Sequence, residues 1–117
     1  VVMCQNSGLG NAVNPLTSLN EPFRIPTLLI ATWRGEPGGV PDEPQHALMG
    51  RITQDLLSVV GVPHASFPAS RDALPPAFAR ATGAMQATGL PFAFVMRKGD
   101  VAEQALAAAE RPPAAPG

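Results

Sequence analysis

The sequence predicts an α/β domain with a doubly wound, mostly parallel sheet, and three observations carry that prediction. Apolar runs of strand length recur at residues 1–4, 25–33, 62–67 and 91–96. Each is separated from the next by a segment with helical period or helical caps, the alternation expected of βαβ units. The runs are also nearly continuous in apolar residues instead of alternating. That pattern belongs to strands covered on both faces.

The first run, Val1-Val2-Met3-Cys4, breaks into Gln5-Asn6-Ser7-Gly8-Leu9-Gly10-Asn11, which reads as a strand entering a glycine-rich turn ahead of a helix. Glycines there would let the backbone take positive φ and approach a ligand, and the helix start would offer free N–H groups. The turn lacks the third glycine of a dinucleotide fingerprint and the Lys-Ser/Thr ending of a P-loop. Asn14 is then expected to cap a short helix with Pro15 at its first position and Leu16 and Leu19 on one face, ending near Asn20. Residues 43–60 give the clearest helix, with Leu48, Ile52, Leu56 and Val59 on a common stripe and Gly61 as the stop. A third helix starts near Pro75-Pro76, carries Phe78, Ala81 and Met85 on one face, and ends at Gly89. Residues 101–110 are helix-prone, and the proline-rich residues 111–117 read as a linker or frayed end. The domain division is therefore 1–99 for the α/β unit and 100–117 for an alanine- and proline-rich tail.

With 117 residues, 45% hydrophobic and 15% charged, the chain can bury one modest core. It opens on Val inside a strand-like run, with no initiator Met, and reads as a fragment. Net charge is −1 and the eight Lys and Arg residues are scattered. Composition thus points away from nucleic acid and anionic membranes. Residues 25–33 are too short to span a bilayer, and a cytoplasmic setting is the default expectation. The single cysteine, Cys4, forms no internal disulfide and reads as a buried strand thiol. With two histidines, no metal-ligand spacing appears.

Parallel sheets bind ligands beyond the carboxyl ends of their strands, and two unusual segments fall there. One is the glycine turn, where Asn6, Ser7 and Asn11 would either meet a ligand or complete the turn themselves. The other runs from Trp33-Arg34-Gly35-Glu36 to Asp42-Glu43-Pro44-Gln45-His46. Arg34 either grips an anionic ligand group with its planar fork or pairs with Glu36 or Asp42. His46 either moves protons near neutral pH or sits on a helix face. Asp42 has a structural reading as the N-cap of the long helix, with Glu43 at its positive end. Gln45 has less structural excuse, Trp33 reads as core or as a pocket wall, and His64 reads as a strand residue.

The blocks QNSGLGNAVNPLTSL, RIPTLLIATWRGEPG, DEPQHALMGRIT and FVMRKG resemble consecutive blocks of phosphonopyruvate decarboxylases, with sulfopyruvate decarboxylases as near relatives. The resemblance covers about residues 1–99. It implies the second half of a pyrimidine-binding domain in an enzyme that uses thiamine diphosphate and Mg²⁺. Such an enzyme converts the small anionic 2-oxo acid 3-phosphonopyruvate to phosphonoacetaldehyde and carbon dioxide. By that resemblance Ser7, Gly8, Leu9, Gly10 and Asn11 line the cofactor, Arg34, Asn6 and Trp33 meet the substrate, and His46 and Gln45 serve catalysis. The glutamate that meets the cofactor's aminopyrimidine lies upstream of Val1 in this family. The diphosphate- and metal-binding domain follows the tail, in the same or another subunit, so a homo-oligomer is expected and the piece alone should be inactive. A non-catalytic anion-binding or assembly module is the rival of a different class.

Overall fold

A computed structural model describes residues 1–107. Its four strands are β1 (Val2–Gln5), β2 (Leu28–Thr32), β3 (His64–Ser66) and β4 (Phe92–Met96). They form one sheet in the order β1-β2-β4-β3, and every pairing is parallel. The helices are α1 (Ser7–Pro15), α2 (Glu21–Phe23), α3 (Ala47–Val59) and α4 (Leu74–Thr88). The α/β class and the parallel sheet expected from the sequence are what is found.

Alternate residues of the central strands feed two cores. Leu29, Ala31, Ala93 and Val95 pack with Leu9 of α1 and Leu57 of α3 on one face. Leu28 and Phe94 pack with Ala77 and Ala81 of α4 on the other. The sheet is thus wound on both sides, and the near-continuous apolarity of β2 and β4 follows from that double cover. Around Phe94, the rings of Phe67, Phe78 and Phe92 lie with centroids 5.8, 5.2 and 5.4 Å away. Aromatic pairs at such spacings each add ~0.5–1.5 kcal/mol beyond their buried area. β1 is an edge strand, with Val2 and Met3 exposed.

Helix ends follow local chemistry where the signals are strong. α4 carries Pro75 and Pro76 in its first turn, where a missing N–H costs no bond, and closes on Gly89 at φ 69° with its N–H donating to the Met85 carbonyl. Gly61 likewise follows α3 at φ 77°.

Three expectations need correction. First, the glycine-rich segment is no open turn: α1 begins at Ser7 directly after β1, so Gly8 and Gly10 are helical and neither has positive φ. Leu9, buried against the sheet, supplies the packing that overrides their poor propensity. Pro15 accordingly lies inside a helix instead of opening one. It lacks the N–H for an intrahelical bond, and a π turn over Leu16–Asn20 takes up the mismatch before α2. Second, most of the stripe expected to bury α3 points outward. Leu48, Ile52 and Val59 are exposed and only Leu56 of that stripe packs against the core, while Gly50, Thr53 and Leu57 face inward. Third, residues 101–107 form no helix; the rest of that expected helix and the proline-rich end lie outside the described residues.

Candidate functional site

Because all four strands run parallel, their carboxyl ends share one rim, and the two segments singled out from the sequence meet there. Asn6, between β1 and α1, is fully buried. Its Nδ2 donates to the Arg34 carbonyl at 2.8 Å and to Thr53 Oγ1 at 2.9 Å, and its Oδ1 accepts from the Arg34 N–H at 3.3 Å. One amide thus ties β1, the segment after β2, and α3. Both of its N–H donors are spent within the protein, so its side chain positions the rim.

The segment after β2 is pinned as tightly. Trp33 donates its indole N–H to the Gly50 carbonyl at 2.8 Å, and its backbone N–H donates to the Met96 carbonyl at 2.8 Å. Gly35 then turns at φ 69° onto the start of α3. A Cβ on Gly35 would stand 2.1 Å from the His46 carbonyl oxygen, and one on Gly50 would stand 1.8 Å from the Gly35 oxygen. Only two glycines allow this approach, which explains why α3 turns a small residue toward the sheet.

Arg34 takes the paired arrangement left open by the sequence. Its Nε and Nη2 donate to the two carboxylate oxygens of Asp42 at 2.8 and 2.7 Å. Asp42 also accepts from the backbone N–H groups of Gly35 and Glu43 at 3.0 and 2.8 Å. The guanidinium and these N–H groups hold the Asp42 carboxyl well below the usual carboxylate range. Asp42 is therefore a loop fastener and caps no helix: a 3₁₀ turn over Pro44–His46 precedes α3, with no side-chain cap. Within that turn Gln45 donates to the Glu43 carboxylate. His46 contributes its backbone to the contact with Gly35.

A cleft of about 480 Å³ opens between the ends of β2 and β4. Trp33, Arg34, Glu36, Asp42, Arg97 and Lys98 are among its lining residues. Arg97 bonds Glu36 at 2.9 Å, and its guanidinium carbon lies 5.8 Å from the centre of the Trp33 ring. Of the residues predicted to form the site, Trp33 and Arg34 line the cleft. Asn6, the first turns of α1 with Ser7, Gly8, Leu9, Gly10 and Asn11, and the Gln45-His46 turn stand outside its lining. Ser7 donates to Gln5 Oε1 at 2.6 Å, and Gly10 is exposed with open space where a Cβ would stand. His64 keeps its Nδ1 3.1 Å from the Val62 carbonyl, away from the rim residues. Arg97 and Lys98 were not singled out from the sequence as site residues. Their signal is a basic pair directly after an apolar strand, and it acquires meaning only once β4 is known to lie beside β2.

Among the described residues, no group of three His, Cys, Asp or Glu side chains converges for a metal ion, and no helix is long and apolar enough to cross a membrane. The fold and rim define a parallel α/β domain with a charged cleft at the carboxyl ends of its strands. No family model matches the chain. A phosphonopyruvate decarboxylase of Streptomyces viridochromogenes is 50% identical over 102 residues, which make up 87% of this chain and 25% of that protein. A phosphonopyruvate decarboxylase of Streptomyces hygroscopicus is 47% identical over the same shares. The sulfopyruvate decarboxylase subunit alpha of Methanocaldococcus jannaschii is 40% identical over 67 residues, 53% of this chain and 36% of that one. The chain is a homologue of a segment of the phosphonopyruvate decarboxylases, with sulfopyruvate decarboxylases more distant. It spans about a quarter of the length of the phosphonopyruvate decarboxylases it matches.

Proposed function

We propose that this chain is part of a thiamine diphosphate-dependent decarboxylase that converts 3-phosphonopyruvate to phosphonoacetaldehyde and carbon dioxide. The observation that carries the reading is identity of 47–50% to two phosphonopyruvate decarboxylases over 87% of the chain. In this reading the domain covers residues 1–99 and residues 100–117 lead onward to the rest of the enzyme.

Fit to the cofactor can be judged on one wall. Gly10 is exposed and has no neighbour within 4 Å of a would-be Cβ, so a flat ring can lie against the α1 backbone there. Ser7, Gly10 and Asn11, all exposed, would form that wall; the expectation is corrected for Leu9, which packs into the core, and for Gly8, which faces Cys4 of β1. When bound, thiamine diphosphate supplies the electron sink for loss of carbon dioxide. The Mg²⁺ and diphosphate sites would fall to other parts of the enzyme. The chain's own residues bind and orient: Trp33 walls the cleft and Arg34 presents its unspent N–H donors to the substrate's anionic groups, while Gln45 and His46, in the turn before α3, stand outside this lining and are assigned no step. Asn6 acts by holding Arg34 in place. The enzyme so assembled is a cytoplasmic homo-oligomer whose diphosphate-binding domain meets this rim.

A sulfopyruvate decarboxylase is the second reading, favoured by 40% identity over 67 residues to the archaeal alpha subunit. Carbon dioxide release by a full-length protein carrying this segment decides between them. The expected result is a higher kcat/KM for 3-phosphonopyruvate than for 3-sulfopyruvate, with no turnover by the 117-residue chain alone. Preference for sulfopyruvate overturns the first reading, and turnover by the short chain overturns the need for the other parts.

A further inference from the structure

The cleft between β2 and β4 is lined by three cations, Arg34, Arg97 and Lys98, and by two carboxylates, Glu36 and Asp42. Their pairing is uneven. Asp42 takes two of Arg34's five N–H donors, and Glu36 takes the Nε of Arg97. Lys98 has no ion-pair partner among the described residues. The lining therefore carries one positive charge in excess, and Lys98 is where it sits uncompensated.

We propose that Lys98 recognises a tetrahedral oxyanion, phosphonate in class, in this cleft, with Arg97 supplying a second set of N–H donors. A compact ammonium with rotatable donors suits tetrahedral oxygens, and a planar guanidinium adds direction. Arg97 is already oriented, held by Glu36 on one side and stacked on Trp33 on the other, so engaging it costs little further ordering. Arg34 is less suited to the same task because Asp42 engages two of its donors in a bidentate pair, whereas Glu36 takes only the Nε of Arg97. Gly99 turns at φ 92° immediately after Lys98, and the Asp100 carboxylate beyond it is engaged by the Arg97 backbone N–H at 2.8 Å, which closes the turn. A volume of about 480 Å³ admits a three-carbon acid bearing such a group.

The assignment rests on the decarboxylase reading for the identity of its natural ligand, and its test does not require turnover. Trp33 is the only tryptophan of the chain and lines the cleft, so its fluorescence reports the site. The 117-residue chain is titrated with phosphonoacetate and inorganic phosphate. The expected result is a saturable Trp33 response to phosphonoacetate whose affinity falls at least tenfold in Lys98→Gln and is largely restored in Lys98→Arg. Lys98 is exposed, so circular dichroism should be the same in all three proteins. Tighter binding of phosphonoacetate than of phosphate assigns the site to a phosphonate carried on an acid, and the reverse assigns it to free phosphate; both support Lys98. An unchanged affinity in Lys98→Gln, or no saturable response at all, overturns the proposal. In a full-length enzyme, Lys98→Gln should raise KM for 3-phosphonopyruvate more than it lowers kcat. Absence of carbon dioxide release by the unsubstituted enzyme would sink the decarboxylase reading while leaving the binding result standing.

Discussion

Replacing Asn6 with Ala should be among the most damaging single changes in the chain, and the cost can be worked from its bonds. Three hydrogen bonds disappear, to the Arg34 carbonyl, to Thr53 Oγ1 and from the Arg34 N–H. Thr53 keeps a partner, since its hydroxyl donates to the Met49 carbonyl at 2.6 Å. The half-buried Arg34 peptide loses both of its Asn6 contacts. Each lost bond costs about 1 kcal/mol net, and stranding a shielded polar group adds about 1–3. The loss of stability should be about 4–6 kcal/mol, or roughly 15–25 °C in Tm for a domain of this size. Thermal and urea unfolding followed by circular dichroism measure it. Asn6→Asp separates hydrogen bonding from volume, because it keeps the shape but loses the donors and faces the Arg34 carbonyl with charge. It should be at least as unstable as Asn6→Ala. A double-mutant cycle with Thr53→Ala should show about 1 kcal/mol of coupling. Losses below about 1 kcal/mol for both Asn6 variants would refute the view that this amide fastens the rim.

Gly50→Ala places a Cβ 1.8 Å from the Gly35 oxygen, so it should cost at least the 1–3 kcal/mol typical of overpacking, whereas Gly83→Ala, with open space around it, should be neutral or mildly stabilising in unfolding assays. Arg34 holds the Asp42 carboxyl below its ordinary range, so the folded chain binds fewer protons than the unfolded chain as pH drops. The contribution of this pair is complete above about pH 4 and is lost as pH falls further, and Asp42→Asn should flatten that acid limb in a pH series of urea unfolding curves. Burial raises the Cys4 thiol above its ordinary pKa, so disulfide-exchange reagents should label it more slowly than an unfolded-chain thiol at pH 8, with the difference vanishing in denaturant.

Where sequence signals are local, they locate the elements. Pro75-Pro76 and Gly89 mark both ends of α4 because a missing N–H and a positive φ are properties of single residues. The apolar runs locate β2 and β4 because both of their faces are covered. α1 is obscured because Gly8, Gly10 and Pro15 each argue against a helix locally, and only the burial of Leu9 and Leu16 against the sheet outweighs them. The face of α3 inverts for a related reason. Thr53 must reach Asn6 and Gly50 must admit the Gly35 carbonyl, so the helix rotates until Leu57 and part of Leu56 meet the core and Leu48, Ile52 and Val59 turn out. For the site, the meeting of Asn6 with the Trp33-Arg34 segment follows from parallel strands, and the Arg34–Asp42 pair is one of the arrangements their spacing allows. Arg97 and Lys98 enter the picture through strand order, because β4 is last in the chain but second from one edge of the sheet.

The interlock of Gly35 with Gly50 removes the slack between the cleft wall and α3. A ligand that pushes on residues 33–35 must carry a 13-residue helix with it, as a lever carries its load. The wall therefore meets its ligand as a stiff surface, and any adaptation of shape has to come from the opposite side, where Arg97 and Lys98 follow the end of β4.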